Sequence, residues 1–210
     1  MKIGILGSGN VGGTLGTRWA QGGHDVIFGS RNPGSSEMRE LVGRAGRHAR
    51  AAANPEVLRQ AEVLLLTTPA GAAQAVLESL GDFGGKVLID ATNAIKPDFS
   101  GIQYGPADSA AEHVASWARG ARVVKAFNTV GFNIMANPAF GADRAVMFYC
   151  GDDPAAKQTV RPLIGELGFD AVDAGPLTQA RVLEPFAMLW ISLAMKYGQG
   201  RDIAFKLLHR

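Results

Sequence analysis

The sequence predicts a doubly wound parallel α/β sheet with a short helical segment at its C-terminal end. Three observations predict it. Short apolar runs of strand length alternate with helix-like stretches, a pattern that builds parallel sheets. The first run passes at once through a glycine-rich turn into a helix. From Gly175 the alternation gives way to one long, nearly apolar helical stretch.

Ile3, Ile5 and Leu6 make the first strand, short and apolar as a buried parallel strand must be. Gly7, Ser8, Gly9, Asn10, Val11 and Gly12 follow as G-x-G-x-x-G. Thr14, Leu15, Trp19 and Ala20 continue at helical spacing. Strand, glycine turn and helix in that order form the dinucleotide fingerprint of a Rossmann fold. Gly7 permits the tight turn, Gly9 admits a pyrophosphate to the backbone, and Gly12 lets helix and strand pack closely. Free N–H groups and the dipole at the helix start hold the anion.

Asp25–Phe28 is the second strand, ending in Ser30, Arg31 and Asn32. An NAD site usually places an acid here for the ribose 2′-OH. This chain offers a hydroxyl and a guanidinium, donors for a 2′-phosphate, which points to NADP. Asp25 stands at the wrong end of the strand. A helix over Ser35–Ala45, a short strand near His48–Ala52 and a helix capped by Asn54 with Pro55 follow. Val63–Leu66 is the fourth strand. Thr67, Thr68 and Pro69 leave its carboxyl end, where ligands of doubly wound sheets sit; a plain helix cap is the other reading.

A helix over Gly71–Leu80 leads to a fifth strand, Lys86–Asp90, which exits through Asn93. The loop Pro97–Pro106 is long enough to border a ligand. A helix over Ala110–Trp117 precedes the sixth strand, Val123–Phe127, which ends at Asn128. Another unit follows: strand Ala145–Cys150, helix Pro154–Leu167, strand Phe169–Val172. Helices over Leu177–Lys196 and Ile203–His209 close the chain. The first of these is apolar all round from Phe186 to Met195, so it must be covered all round. Its own sheet, a second subunit or a flat ring ligand could cover it. The expected division is a dinucleotide-binding domain over 1–175 and a helical segment over 176–210 that closes the cleft and forms a homodimer.

Composition excludes several classes. The chain has 210 residues, 47% hydrophobic and 19% charged, with a net charge of +2 and no basic block to suit nucleic acid. The single cysteine, Cys150, fits a packed strand residue and a reducing compartment. No stretch is apolar for the roughly 18 residues of a membrane span, so a cytoplasmic protein is expected. Asp152 and Asp153 suit a helix start better than a metal, and no metal site is expected.

Gly7–Gly12, Gly29-Ser30-Arg31, Lys125-Ala126-Phe127-Asn128-Thr129 and Asp173-Ala174-Gly175-Pro176-Leu177 occur in that order. In them the chain resembles the coenzyme F420-dependent NADP oxidoreductases. It is similar also to the cytosolic oxidoreductase domain of the six-transmembrane ferric reductases. The resemblance implies hydride transfer between NADP(H) and a second flat ring, deazaflavin F420 or a flavin (FMN or FAD). Both rings carry the chemistry and the protein orients them. By resemblance Ser30 and Arg31 hold the 2′-phosphate. Thr67, Pro69 and Asn93 border ribose and nicotinamide. Ala126 and Asn128 lie near hydride transfer, with Asn128 the expected catalytic residue. The archaeal F420 enzymes tend to carry His at Asn128, whereas the membrane reductases carry Asn. Two rival readings are a reductase of a small imine or keto acid, and a non-enzymatic NADPH sensor. The first needs a larger helical second domain than Gly175–Arg210 offers.

Overall fold

The computed structural model describes residues 1–210. The first half alternates strictly: β1 (Lys2–Leu6), α1 (Asn10–Gln21), β2 (Asp25–Gly29), α2 (Ser36–Ala45), β3 (Ala49–Ala52), α3 (Asn54–Gln60), β4 (Val63–Leu66), α4 (Ala70–Leu80) and β5 (Val87–Asp90). It continues with α5 (Ala110–Trp117), β6 (Arg122–Lys125), α6 (Phe132–Ala136), a hairpin of β7 (Ala139–Phe140) and β8 (Asp143–Arg144), β9 (Val146–Gly151), α7 (Pro154–Glu166) and β10 (Asp170–Asp173). A single 3-10 turn, Leu177–Gln179, leads into α8 (Ala180–Met195). The main sheet runs β10-β9-β6-β5-β4-β1-β2-β3. From β3 to β6 every pairing is parallel. Order reverses between β1 and β4, the switch point where such sheets bind ligands. β4 and β5 are buried along their whole length, as strands covered on both faces must be.

The structure departs from the sequence expectation in three places and removes one alternative reading. β9 pairs antiparallel to β6, over Val124↔Gly151 and Lys125↔Cys150. The reason is the connection. A parallel return is usually carried back along the sheet by a helix, whereas the residues between β6 and β9 form only the five-residue α6 and a hairpin, and the chain re-enters from the same end. Asn54 is the first residue of α3 and caps nothing. Ala53 holds the cap position, and Asn54 Oδ1 lies buried against Gly29 without a partner. Thr67 and Thr68 do not cap α4, whose cap residue is Pro69.

The last departure is the C-terminal stretch, which forms no helix. Its backbone is engaged elsewhere: Phe205 O accepts from Val146 N at 2.9 Å, and Ile203 O accepts from Trp190 Nε1 at 2.7 Å. The tail thereby covers α8. Phe186 packs between Phe205 and Phe148, with ring centroids 4.3 and 5.8 Å away. Val182 and Leu189, two turns apart on one face, and Met195 at the helix end stay exposed. The acids at the start of α7 are structural. Asp153 Oδ1 caps the helix by accepting from Ala156 N at 2.7 Å, and Asp152 accepts from Leu177 N at 2.8 Å. No helix is long and apolar enough to cross a membrane.

Candidate nucleotide and ring site

The glycine turn has the geometry its residues imply. Gly7 sits at φ +109°, where any side chain is strained and where a Cβ would meet the backbone N of Thr68 at 2.6 Å. A Cβ on Gly12 would strike the Gly7 carbonyl, with Thr67 Oγ1 at 2.5 Å and Ile5 Cγ2 at 2.9 Å. A Cβ on Gly9 would meet nothing within 4 Å. Gly9 is also the cap residue of α1, with no side-chain cap bond and no acid in the first turn. The start of this twelve-residue helix is thus uncapped and borders a cavity at Gly9 and Asn10, which fits the pyrophosphate of a dinucleotide.

Thr67 and Thr68 act on this loop from below. Thr67 Oγ1 donates to the Gly7 carbonyl, and Thr68 Oγ1 donates to Leu6 O at 3.0 Å. Pro69 is exposed beside them. Asn10 is exposed at the start of α1 and Val11 is half-buried. Ser8 Oγ donates to Met38 Sδ at 3.3 Å, joining the loop to α2. At the end of β2, Ser30 Oγ accepts from Asn32 N at 3.0 Å, while the Arg31 and Asn32 side chains are exposed. A cavity of about 780 Å³ opens here. It takes in Ser8, Gly9, Asn10 and Ser30 and continues between α1 and α2 towards Arg18. Arg18 donates to the carbonyls of Met135 and Leu167 at 3.1 and 2.6 Å, and burial pulls its pKa down.

Asn93 and Asn128 form a second group on the ends of β5 and β6. Asn93 Nδ2 donates to Asn128 O at 2.8 Å. Asn128 Nδ2 donates to Asn93 Oδ1 at 3.3 Å and to Leu183 O at 3.1 Å. Asn128 is 4% exposed, and its Oδ1 has no partner. An unpaired buried acceptor is costly, and Asn128 lies outside the cavity at the glycine turn, so a ligand completes it only once the strand ends open. Phe127, just before it, holds φ +63°, a left-handed conformation that is an outlier for a bulky residue. Its ring is locked edge-on to Trp19 and Phe169, with centroids 5.8 and 6.4 Å away. That strained residue turns the chain off β6 and presents the Asn128 amide to Asn93. Ala126 is fully buried, so only its backbone could serve the site.

Sequence reasoning missed the most polar feature nearby. Lys125 Nζ donates to Asp90 Oδ2 at 2.9 Å, Glu184 Oε1 at 2.9 Å and Thr92 O at 2.6 Å. All three ionic side chains are fully buried. Burial alone would lower the pKa of Lys125, but the carboxylates of Asp90 and Glu184 outweigh it and hold the ammonium above its ordinary value. The sign was available: a lysine between Val124 and Ala126 and a glutamate between Leu183 and Pro185 are out of place in apolar runs. Cys150 is fully buried, and burial pushes its thiol up to about 12, so it is a packing residue. Phe186 and Trp190 face the tail and, for Trp190, Gly131, where a Cβ would meet its ring at 2.6 Å. They pack internally rather than offering a face to a flat ring.

The switch-point sheet and the bare helix start behind Gly9 define a dinucleotide-binding α/β protein of the Rossmann class. Residues 2–94 match the family described as NADP oxidoreductase coenzyme F420-dependent. The chain is 33% identical over 213 residues to the F420-dependent NADP reductase of Methanothermobacter thermautotrophicus, covering 93% of this chain and 90% of that protein. It is 32% identical over 184 residues to Metalloreductase STEAP3 of Rattus norvegicus, covering 87% of this chain but 36% of that protein. A solved structure from Arthrobacter sp. FB24, provisionally assigned as an F420-dependent NADP reductase, superposes with a TM-score of 0.89 at 30% identity over the whole of both chains. A reductive aminase from Aspergillus terreus shares the fold, with a TM-score of 0.69 at 21% identity, over 62% of its own length. The chain belongs to the F420-dependent NADP reductase family.

Proposed function

We propose that the chain is an NADPH oxidoreductase that passes hydride between NADP(H) and a flat redox ring, with deazaflavin F420 the first candidate. The observation that carries this reading is Asn128, a buried neutral amide with a free acceptor at the strand ends and no ionisable partner. Lys125, three residues before it, is sealed against Asp90 and Glu184 and gives no proton to a substrate. That disfavours imine or keto-acid reduction, which needs a proton donor. The rings supply the electron chemistry themselves when bound.

The side chains then divide the work. Gly7, Ser8, Gly9, Asn10, Val11 and Gly12 hold the pyrophosphate, with Thr67 and Thr68 fixing the loop and Pro69 bordering it. Ser30, Arg31 and Asn32 take the 2′-phosphate. Asn93 and Asn128 orient the rings, beside the backbone of Ala126. Residues 176–210 close the cleft, and the exposed Val182 and Leu189 on one face of α8 pair two copies as a homodimer. Sedimentation at micromolar concentration tests the dimer, and a monomer alone refutes it. Stopped-flow NADPH oxidation with F420, FMN or FAD tests the reaction for wild type and Asn128→Ala. F420 should be reduced, and slower in the variant. If no ring is reduced faster than by NADPH in buffer, the enzyme reading fails and the sensor reading stands. If F420 is inert and FMN or FAD reacts, flavin is the partner, as Asn rather than His at position 128 would favour.

A further inference from the structure

Asn128 Nδ2 has two acceptors, and each is the chain neighbour of a residue tied to the buried ions. Asn93 follows Thr92, whose carbonyl accepts from Lys125 at 2.6 Å and whose N–H and hydroxyl donate to Asp90 Oδ1 at 2.9 and 2.7 Å. Leu183 precedes Glu184, whose carboxylate accepts from Lys125 at 2.9 Å. Glu184 also accepts from the N–H groups of Ala110 and Ala111, at 2.9 and 3.1 Å, at the start of α5. The carboxylate therefore sits where a helix dipole favours negative charge. The ions thus dock α8, α5 and the ends of β5 and β6 at one point. Docked so, Asn93 Oδ1 and Leu183 O face the same amide. Turning that amide over would set Oδ1 against two acceptors, so one orientation alone is allowed.

We propose that Asp90, Lys125 and Glu184 are positioning residues that fix the Asn128 carboxamide. Both Nδ2 hydrogens are engaged, and Oδ1 is left as the acceptor for an N–H of a bound ring. The inference rests on the reading of Asn128 as a ring-orienting group. The ion cluster touches no ligand and acts only through the two neighbours it places.

The test separates placement from turnover. In the ligand-free, 15N-labelled full chain, the Asn128 side-chain amide is identified by its loss in Asn128→Ala. Its protons should exchange slowly in wild type and about tenfold faster in Glu184→Gln, because the dock is loosened. With NADPH and F420, kcat of Glu184→Gln should fall about ten- to a hundredfold at unchanged Kd for NADPH, the size of a small misplacement. In an Asn128→Ala background the same change should add nothing. Unchanged exchange in Glu184→Gln, or losses that multiply in the double variant, overturns the proposal. If Glu184→Gln does not fold, the uncharged set Asp90→Asn, Lys125→Met, Glu184→Gln replaces it, since it strands no buried charge. Protection retained in that set also overturns the proposal. Asn128→Ala turning over at the wild-type rate refutes the ring-orienting role instead, while the exchange result still decides the placement.

Discussion

Alanine at three glycines around the start of α1 separates packing from binding. At Gly12 the new methyl would press on the Gly7 carbonyl, on Thr67 Oγ1 at 2.5 Å and on Ile5 Cγ2 at 2.9 Å. The carbonyl cannot retreat, because Gly7 holds its unusual φ and accepts from Thr67. Overpacking of this kind costs about 1–3 kcal/mol. Losing the Thr67 hydrogen bond adds about 0.5–1.5 kcal/mol. The better helix propensity of alanine returns about 1 kcal/mol. The net is a destabilisation of ~2 kcal/mol, or roughly 4–8 °C in Tm for a chain of this size. Gly13→Ala is the control. Its methyl would meet Leu41 Cδ1 at 3.4 Å, an ordinary contact, so Tm should hold or rise. Gly9→Ala has nothing within 4 Å to strike, so its stability should fall only by the few tenths to about 1 kcal/mol that alanine costs in place of glycine at a helix N-cap. On the proposed binding mode its methyl would instead stand where the pyrophosphate approaches. Losing one charge-assisted hydrogen bond of about 1.5–3 kcal/mol weakens NADPH roughly ten- to a hundredfold. Thermal melts and fluorescence titration with NADPH read both quantities. A Gly12→Ala protein as stable as wild type, or a Gly9→Ala protein with wild-type affinity, would refute the reasoning.

Three further outcomes follow. Arg31→Ala should weaken NADP binding about ten- to a hundredfold and leave NAD unchanged, since the Ser30–Ser35 turn holds no acid; equal losses for both cofactors would exclude a 2′-phosphate contact. Lys125→Met should cost about 3–5 kcal/mol in urea denaturation at pH 7, because it leaves two buried carboxylates unpaired. The pKa of Lys125 is raised in the fold, so its stabilisation is complete below the unfolded lysine value near 10.5 and is lost as pH climbs beyond it. The gap between wild type and Lys125→Met should therefore narrow from pH 10.5 upward. Cys150, with a thiol near 12, should resist iodoacetamide at pH 8 until the chain unfolds, and rapid labelling of native protein would contradict its burial.

The strands β1, β2, β4, β5 and β6 were legible because each centres on a short apolar run bounded by turn residues. The glycine turn was legible because its spacing is a steric code that the structure repeats residue by residue. The reversal of β9 was not, since apolar alternation carries no strand direction. Direction depended on the connection, where Phe132–Ala136 and the following hairpin had no strong signal of their own. Ile203–His209 has a helical pattern, but a backbone bond to Val146 and a cover for Phe186 and Trp190 outweighed local propensity. The sequence placed Asn93 and Asn128 at strand ends. It could not show that they share one pair of hydrogen bonds, because that depends on the register of β5 and β6.

The buried ion cluster crosses the boundary that composition suggests near Gly175, and this has a consequence for how the chain is made. Lys125 waits 59 residues for Glu184. On a ribosome, the sheet can assemble its strands early, but β6 then encloses an ammonium balanced by Asp90 alone, beside a helix start with no anion. The cluster is thus completed only when α8 docks and brings Glu184 to Lys125 and to the start of α5. A chain cut after Gly175 would be a half-closed intermediate rather than a small independent nucleotide-binding module.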